Sequence, residues 1–137
     1  MRSVCLDASS LVIYVAEKDS PDDMSGIMND IEKGNVRGVI STVNLAEFHR
    51  AITRIFSEDK ADKFVAWMNE STLEIISPTV EIACIASEKK YKYARTGDPF
   101  AWGDAFCLAT AIHEKADLII TSHAEFEKVT EISIMMI

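Results

Sequence analysis

Five short apolar runs, each separated from the next by residues with helical spacing, limit what this chain can fold into. They lie at residues 4–6, 36–41, 73–76, 118–121 and 132–137. Each is too short for a stable core helix and is bounded by Gly, Pro or a polar residue, so each reads as a buried strand. Strands that alternate with helices cannot close as hairpins. They need crossover connections, which give a parallel sheet covered by helices on both faces. The expected fold class is therefore α/β: a three-layer α/β/α sandwich with a mainly parallel sheet of about five strands. At 137 residues, the chain is expected to form a single domain over residues 1–137.

The helical segments carry their own start and stop signals. Ser9 or Ser10 is expected to cap the apolar helix LVIYVAE. The segment 22–33 places Ile27, Met28 and Ile31 on one face, and Gly34 ends it. Residues 42–56 carry Leu45, Phe48, Ile52 and Ile55 at helical spacing. Ser57 caps the next helix, whose acidic first turn (Glu58, Asp59) suits the helix dipole; Ala61, Phe64, Val65 and Met68 line its apolar side. Thr79 caps a helix running to about Arg95, Gly97-Asp98-Pro99 breaks the chain, and a last helix covers 102–114.

Composition narrows the function classes. Apolar residues make up 48% of the chain, enough for a real core. No apolar run approaches the roughly 20 residues of a membrane span. The N-terminal stretch is interrupted by Asp7 and does not read as a signal peptide, so a cytoplasmic location is expected. Cys5, Cys84 and Cys107 are scattered through apolar segments without a C-x-x-C pair, which points to reduced, mostly buried thiols rather than zinc or disulfides. The net charge of −8 argues against a protein that coats nucleic acid by charge alone. It remains compatible with an enzyme whose acids are neutralised locally by a divalent cation.

In parallel sheets of this kind, ligands sit beyond the carboxyl ends of the strands at the topological switch point. Asp7 comes directly after the first strand, either as a site carboxylate or as a cap for the next helix. Asp104 falls with Ala101, Leu108 and Ala111 on a small apolar helix face. Charge there is costly unless paired or metal-bound, or unless Asp104 is the helix cap. Glu47, in NLAEFHRAITR, sits by periodicity on the solvated flank of its helix, with Arg50 and Arg54 on the same flank. His49, His113 and His123 match no triad or zinc-helix pattern, and the chain has no Gly-rich phosphate loop or nucleophile elbow.

Taken together, LDAS, NLAEFHRA, WGDAFCLATA and LIITSHAEF resemble, in order and approximate spacing, the PIN-domain nucleases, and among these the small stand-alone VapC-type toxin ribonucleases. The resemblance spans essentially the whole chain. It implies a parallel five-stranded fold, an acidic cluster that binds Mg²⁺ or Mn²⁺, and hydrolysis of RNA to products with a 5′-phosphate and a 3′-hydroxyl. Asp7, Glu47 and Asp104 match the family's first three acidic positions, and the resemblance brings Glu47 into the site where periodicity did not. The fourth acid, which in the family closes a Thr-x-Asp, is replaced here: the motif reads Thr121-Ser122-His123. The resemblance also implies an antitoxin partner and a homodimer.

Hard divalent cations take oxygen ligands, and Mg²⁺ keeps several waters. Carboxylates gathered without metal repel, at about 4 kcal/mol per pair at 4 Å and an effective dielectric near 20, so at least one is expected to hold a proton. With His123 as a fourth ligand, one firm metal site is expected, beside a second that is weak or Mn²⁺-selective, since imidazole suits Mn²⁺ better than Mg²⁺. Glu125 is a candidate partial substitute, and Thr121 and Ser122 can position water. Arg50 and Arg54 are the expected RNA phosphate contacts. EKKYKYAR, with its cations and aromatic rings, reads either as a single-strand contact or as a solvated helix end. Trp67 and Met68 read as candidate interface residues or as core. Two other readings stand: a PIN-like RNA- or protein-binding module that lost catalysis with the fourth acid, and a receiver-like phosphoacceptor, which would need further acids near the first strand and a Lys near the last central strand.

Overall fold

The computed structural model describes residues 1–16 and 22–137. Its elements run β1 (Arg2–Leu6), α1 (Ala8–Ala16), α2 (Asp22–Glu32), β2 (Val36–Ser41), α3 (Thr42–Ile55), α4 (Glu58–Glu70), β3 (Glu74–Ile76), α5 (Val80–Tyr93), α6 (Trp102–His113), β4 (Leu118–Thr121), a 3₁₀ turn (Ala124–Lys128) and β5 (Ser133–Met136). All four strand pairs are parallel, in the order β3-β2-β1-β4-β5. The expected five-stranded three-layer sandwich is present. The order reverses on either side of β1, so the switch point lies between β1 and β4.

Strand alternation divides the core in two. Cys5 is level with Val39 on one side and Ile119 on the other. These three pack with Ile82, Phe100, Cys107 and Leu108 beneath α5 and α6. Their neighbours Leu6, Ile40 and Ile120 face the opposite way, toward Leu11, Met28, Phe48, Ile52 and Met68 of α1 to α4. Phe48, Ile52 and Met68 are fully buried, and each such side chain contributes roughly 1.5–3 kcal/mol through removal from water. β1 is thereby covered on both faces, and Asp7, the next residue along the chain, is held in a fixed place.

The caps at Ser57 and Thr79 form as expected, each side chain accepting a backbone N–H three residues on. Gly34 ends α2 in the left-handed region, φ 77°, a conformation that glycine adopts without a Cβ penalty. The start of α1 and the end of α5 differ from the sequence reading. α1 starts at Ala8, with Asp7 before it and neither Ser9 nor Ser10 as the cap. The Ser10 hydroxyl instead donates to the Asp7 carbonyl at 2.7 Å. The last residue of the expected first helix, Glu17, lies outside the described residues. α5 stops at Tyr93 because Ala94 is already extended, φ −75° and ψ 124°. Of the two residues read as interface or core, Met68 is core, fully buried in the cluster of α1 to α4 and the sheet, while Trp67 beside it is half-buried.

The basic segment of α5 is largely engaged. Lys89 and Lys92 pair with Glu131, Lys90 donates to the Phe100 carbonyl at 2.7 Å, and the buried Tyr93 hydroxyl donates to Glu131. Its helix-end role is thus built in. Cys5 and Cys107 are buried free thiols, and Cys84 is an exposed one. Among the described residues, no helix is long and apolar enough to cross a membrane.

Candidate metal centre

The carboxyl ends of β1 and β4 deliver the first components. Asp7 extends the β1–β4 ladder by one bond, its N–H donating to the Ile120 carbonyl at 3.1 Å. This fixes the residue at the mouth of the switch point. Its side chain is buried. Oδ2 accepts from the Thr121 hydroxyl at 2.6 Å and from the Ser9 hydroxyl at 2.9 Å. Ser9 is itself held by the Ser122 N–H at 3.0 Å, and Thr121 accepts the His123 N–H at 3.0 Å. The other oxygen, Oδ1, is buried and has no hydrogen-bond partner. An ionised oxygen in that state is costly, and the surrounding hydroxyls leave it as the free donor atom of the pair.

Asp104 comes from the first turn of α6. It is 5% exposed, and its Oδ2 accepts the Ala101 N–H at 3.2 Å. Asp104 is therefore not the N-cap: Ala101 is, Trp102 and Gly103 lie inside the helix, and Asp104 reaches back from the third helical position to the cap residue's N–H. Oδ1 faces His123 Nδ1 at 3.0 Å, and the same ring nitrogen lies 3.3 Å from Asp7 Oδ2. Among the described residues, Asp7, Asp104 and His123 are the one group of acids and histidines able to share a metal ion, with one ligand atom each inside a mutual 4.8 Å. The N-termini of α1 and α6 add their favourable partial charge beside the two acids.

The hydrogen bond to Asp104 raises the His123 pKa to about 9; burial opposes this, and the Asp7 and Asp104 charges reinforce it. The imidazole of His123 thus stands between the two acids, at the position where the resemblance implies a fourth acid.

Glu47 lies outside that group of three. It projects from the second turn of α3, an exposed residue whose carboxylate rests against Gly103, the residue before Asp104. Asn44 Nδ2 donates to Glu47 Oε1 at 2.8 Å and to the Gly103 carbonyl at 3.1 Å. Desolvation raises the Glu47 pKa, the Asn44 bond partly offsets this, and the nearby Asp7 and Asp104 add to the rise. Glu47 and His123 both line a cleft of about 280 Å³, together with Ala8, Ser9, Val12 and Ala51. Arg50 and Arg54 are exposed on α3 and form no ion pair with the described residues. Glu125 is half-buried in the 3₁₀ turn beyond His123.

Asn44 and Gly103 were not legible as site residues. The available signal was Asn44 itself, a polar side chain at i−4 and i−8 from Phe48 and Ile52 on an otherwise apolar stripe.

A fold of this topology, with Asp7 at the end of its central strand and Asp104 and His123 gathered beside it, defines a class, and the chain belongs to it: the PIN domain family model matches residues 4–132. Among solved structures, the chain is similar to DNA-bound VapBC from Salmonella typhimurium, with TM-score 0.77 and 20% identity over 98% of each chain. It is also similar to VapBC-1 from nontypeable Haemophilus influenzae, with TM-score 0.74 and 18% identity over 98% of this chain and 97% of that one. A third is the sarcin–ricin-loop-cleaving toxin VapC20 of Mycobacterium tuberculosis, with TM-score 0.71 and 12% identity over 95% and 98%. At these identities the likeness is one of fold. No curated protein sequence matches the chain.

Proposed function

We propose that this chain is a divalent-metal-dependent endoribonuclease of the PIN family, the toxin of a cytoplasmic toxin–antitoxin pair. The observation that carries the reading is the buried, unpartnered Asp7 Oδ1 beside Asp104 and His123. The donor set fits a hard or borderline cation: carboxylate oxygens from Asp7 and Asp104, with Glu47 alongside, and one imidazole nitrogen. These four residues would hold Mn²⁺ or Mg²⁺. When bound, such an ion lowers the pKa of a coordinated water and offsets charge on the scissile phosphate.

The chain's own residues do the rest. Ser9 and Thr121 fix Asp7 so that Oδ1 remains available. His123 keeps the acids neutralised in the metal-free protein, and gives up its proton before its nitrogen can ligate. Arg50 and Arg54 are free to meet RNA phosphates outside the cleft. The small apolar walls at Ala8, Val12 and Ala51 limit water around the reacting group. The toxin assemblies on this fold support an antitoxin as the partner; a homodimer as the working form is part of the proposal.

The test is RNA cleavage by wild type and Asp7→Asn with Mn²⁺, Mg²⁺ or chelator. Cleavage that needs the ion and falls at least 100-fold in the variant supports the proposal; loss of one such electrostatic group adds on the order of 3 kcal/mol to the barrier. RNA binding without cleavage by wild type would favour the binding-module reading.

A further inference from the structure

We infer that Asn44 and Gly103 form a latch that positions the Glu47 carboxylate beside the Asp7–Asp104–His123 group; this rests on the metal-dependent reading above. Asn44 is fully buried. Its amide nitrogen spans two elements, reaching Glu47 Oε1 at 2.8 Å within α3 and the Gly103 carbonyl at 3.1 Å on α6. Those two acceptors dictate the amide orientation, because the flipped amide would set oxygen against oxygen. The consequence is that Asn44 Oδ1 is buried without a donor. A buried, half-satisfied amide weakens a fold. A side chain serving only packing on the stripe with Phe48 and Ile52 would be apolar. Asn44 therefore contributes direction rather than stability: it aims Glu47 at α6.

Gly103 provides the second half. A Cβ built there would lie 2.6 Å from the Glu47 carboxyl carbon, so the carboxylate occupies the volume that any other residue would fill. The obstructing atoms are the far end of a flexible side chain, not backbone. An alanine at this position would push Glu47 away and leave α6 in place. It would also improve the helix, where Gly is disfavoured relative to Ala. The position of Glu47 and the stability of α6 are thus in opposition at one residue. Asn44 is a positioning residue, acting through Glu47, and Gly103 is the space that admits it.

The experiment measures the melting temperature of metal-free protein, Mn²⁺ affinity by calorimetry, and RNA cleavage for Asn44→Leu, Gly103→Ala, Glu47→Gln and the two doubles with Glu47→Gln, beside Asp7→Asn. The expected results are a Gly103→Ala melting temperature at or above wild type, and Mn²⁺ affinity lowered about ten-fold or more in Asn44→Leu and Gly103→Ala, as for removal of groups that orient a metal ligand. Neither change should add to the loss in Glu47→Gln. Wild-type affinity in Gly103→Ala, or losses that add to Glu47→Gln, overturn the latch. Gly103→Ala settles the matter even if Asn44→Leu fails to fold. If wild type and Asp7→Asn alike bind no Mn²⁺, the metal reading fails and the latch with it; strong wild-type binding lost in Asp7→Asn, with indifferent latch variants, removes the latch alone.

Discussion

The imidazole of His123 and the carboxylate of Asp104, nineteen residues apart in the chain, meet at 3.0 Å. The contact sets a cation where the family pattern has an acid. In the proposed metal site the ion would have to displace a proton from His123 to gain a nitrogen ligand.

Replacing that cation should move two properties in opposite directions. His123→Asp is expected to raise Mg²⁺-supported cleavage relative to Mn²⁺-supported cleavage, because an oxygen ligand suits the harder ion. It should also lower the melting temperature of the metal-free protein by several degrees, since a third anion replaces the imidazolium. Calorimetry of wild type should show one firm site and one weak or Mn²⁺-selective site. Unchanged Mg²⁺-dependent activity in the variant, or two tight Mg²⁺ sites in wild type, contradicts this role for His123.

The pH dependence of stability rests on the raised His123 pKa of about 9. A histidine whose pKa rises on folding stabilises the native state fully below the unfolded value near 6.5 and ceases to do so as pH climbs through about 9. Metal-free wild type should lose melting temperature across that window more than His123→Gln does. Mn²⁺ affinity should rise over the same range as the competing proton leaves. Parallel pH profiles for the two proteins would contradict it.

At the acid end the responsible group is Glu131. Burial pushes its carboxyl up, but hydrogen bonds from Tyr93 and Lys89 prevail and hold it at about 2. A depressed carboxyl stabilises above its unfolded value, near 4.3, and the contribution is lost as pH falls toward 2. Glu131→Gln should therefore cost stability at pH 7 and little at pH 2.5, an effect visible in denaturant midpoints. An equal cost at both pH values would assign Glu131 to packing alone.

Arg50 is exposed and free of ion pairs with the described residues. Arg50→Glu should cut RNA cleavage about ten-fold or more, chiefly through weaker binding, with an unchanged melting temperature and a shallower salt dependence. Wild-type cleavage in this variant would move the phosphate contact elsewhere.

The layers, the strand count and Asp7 at the end of a central strand were readable because burial leaves a periodic mark on each strand and helix. Asp104 was readable for the same reason, as charge on a packing face. Glu47 was not: its helix wheel places it on a solvated flank, and its carboxylate is drawn inward by Asn44 on its own helix and by Gly103, 56 positions further along. Tertiary contact overrides periodicity there. The start of α1 was misplaced because two serines look like caps, whereas the fold uses Asp7 before the helix and turns both serines back onto it.

Asp7, Asp104 and His123, with Glu47 beside them, are proposed to hold a divalent cation. Anomalous diffraction from Mn²⁺-soaked crystals tests it most directly. A strong peak is expected, coordinated by Asp7 Oδ1 and an Asp104 oxygen, with His123 rotated onto it or vacated from between the acids, and no such peak in Asp7→Asn crystals. An absent peak at saturating Mn²⁺ in wild-type crystals, or a peak that leaves both acids uncoordinated, would contradict it.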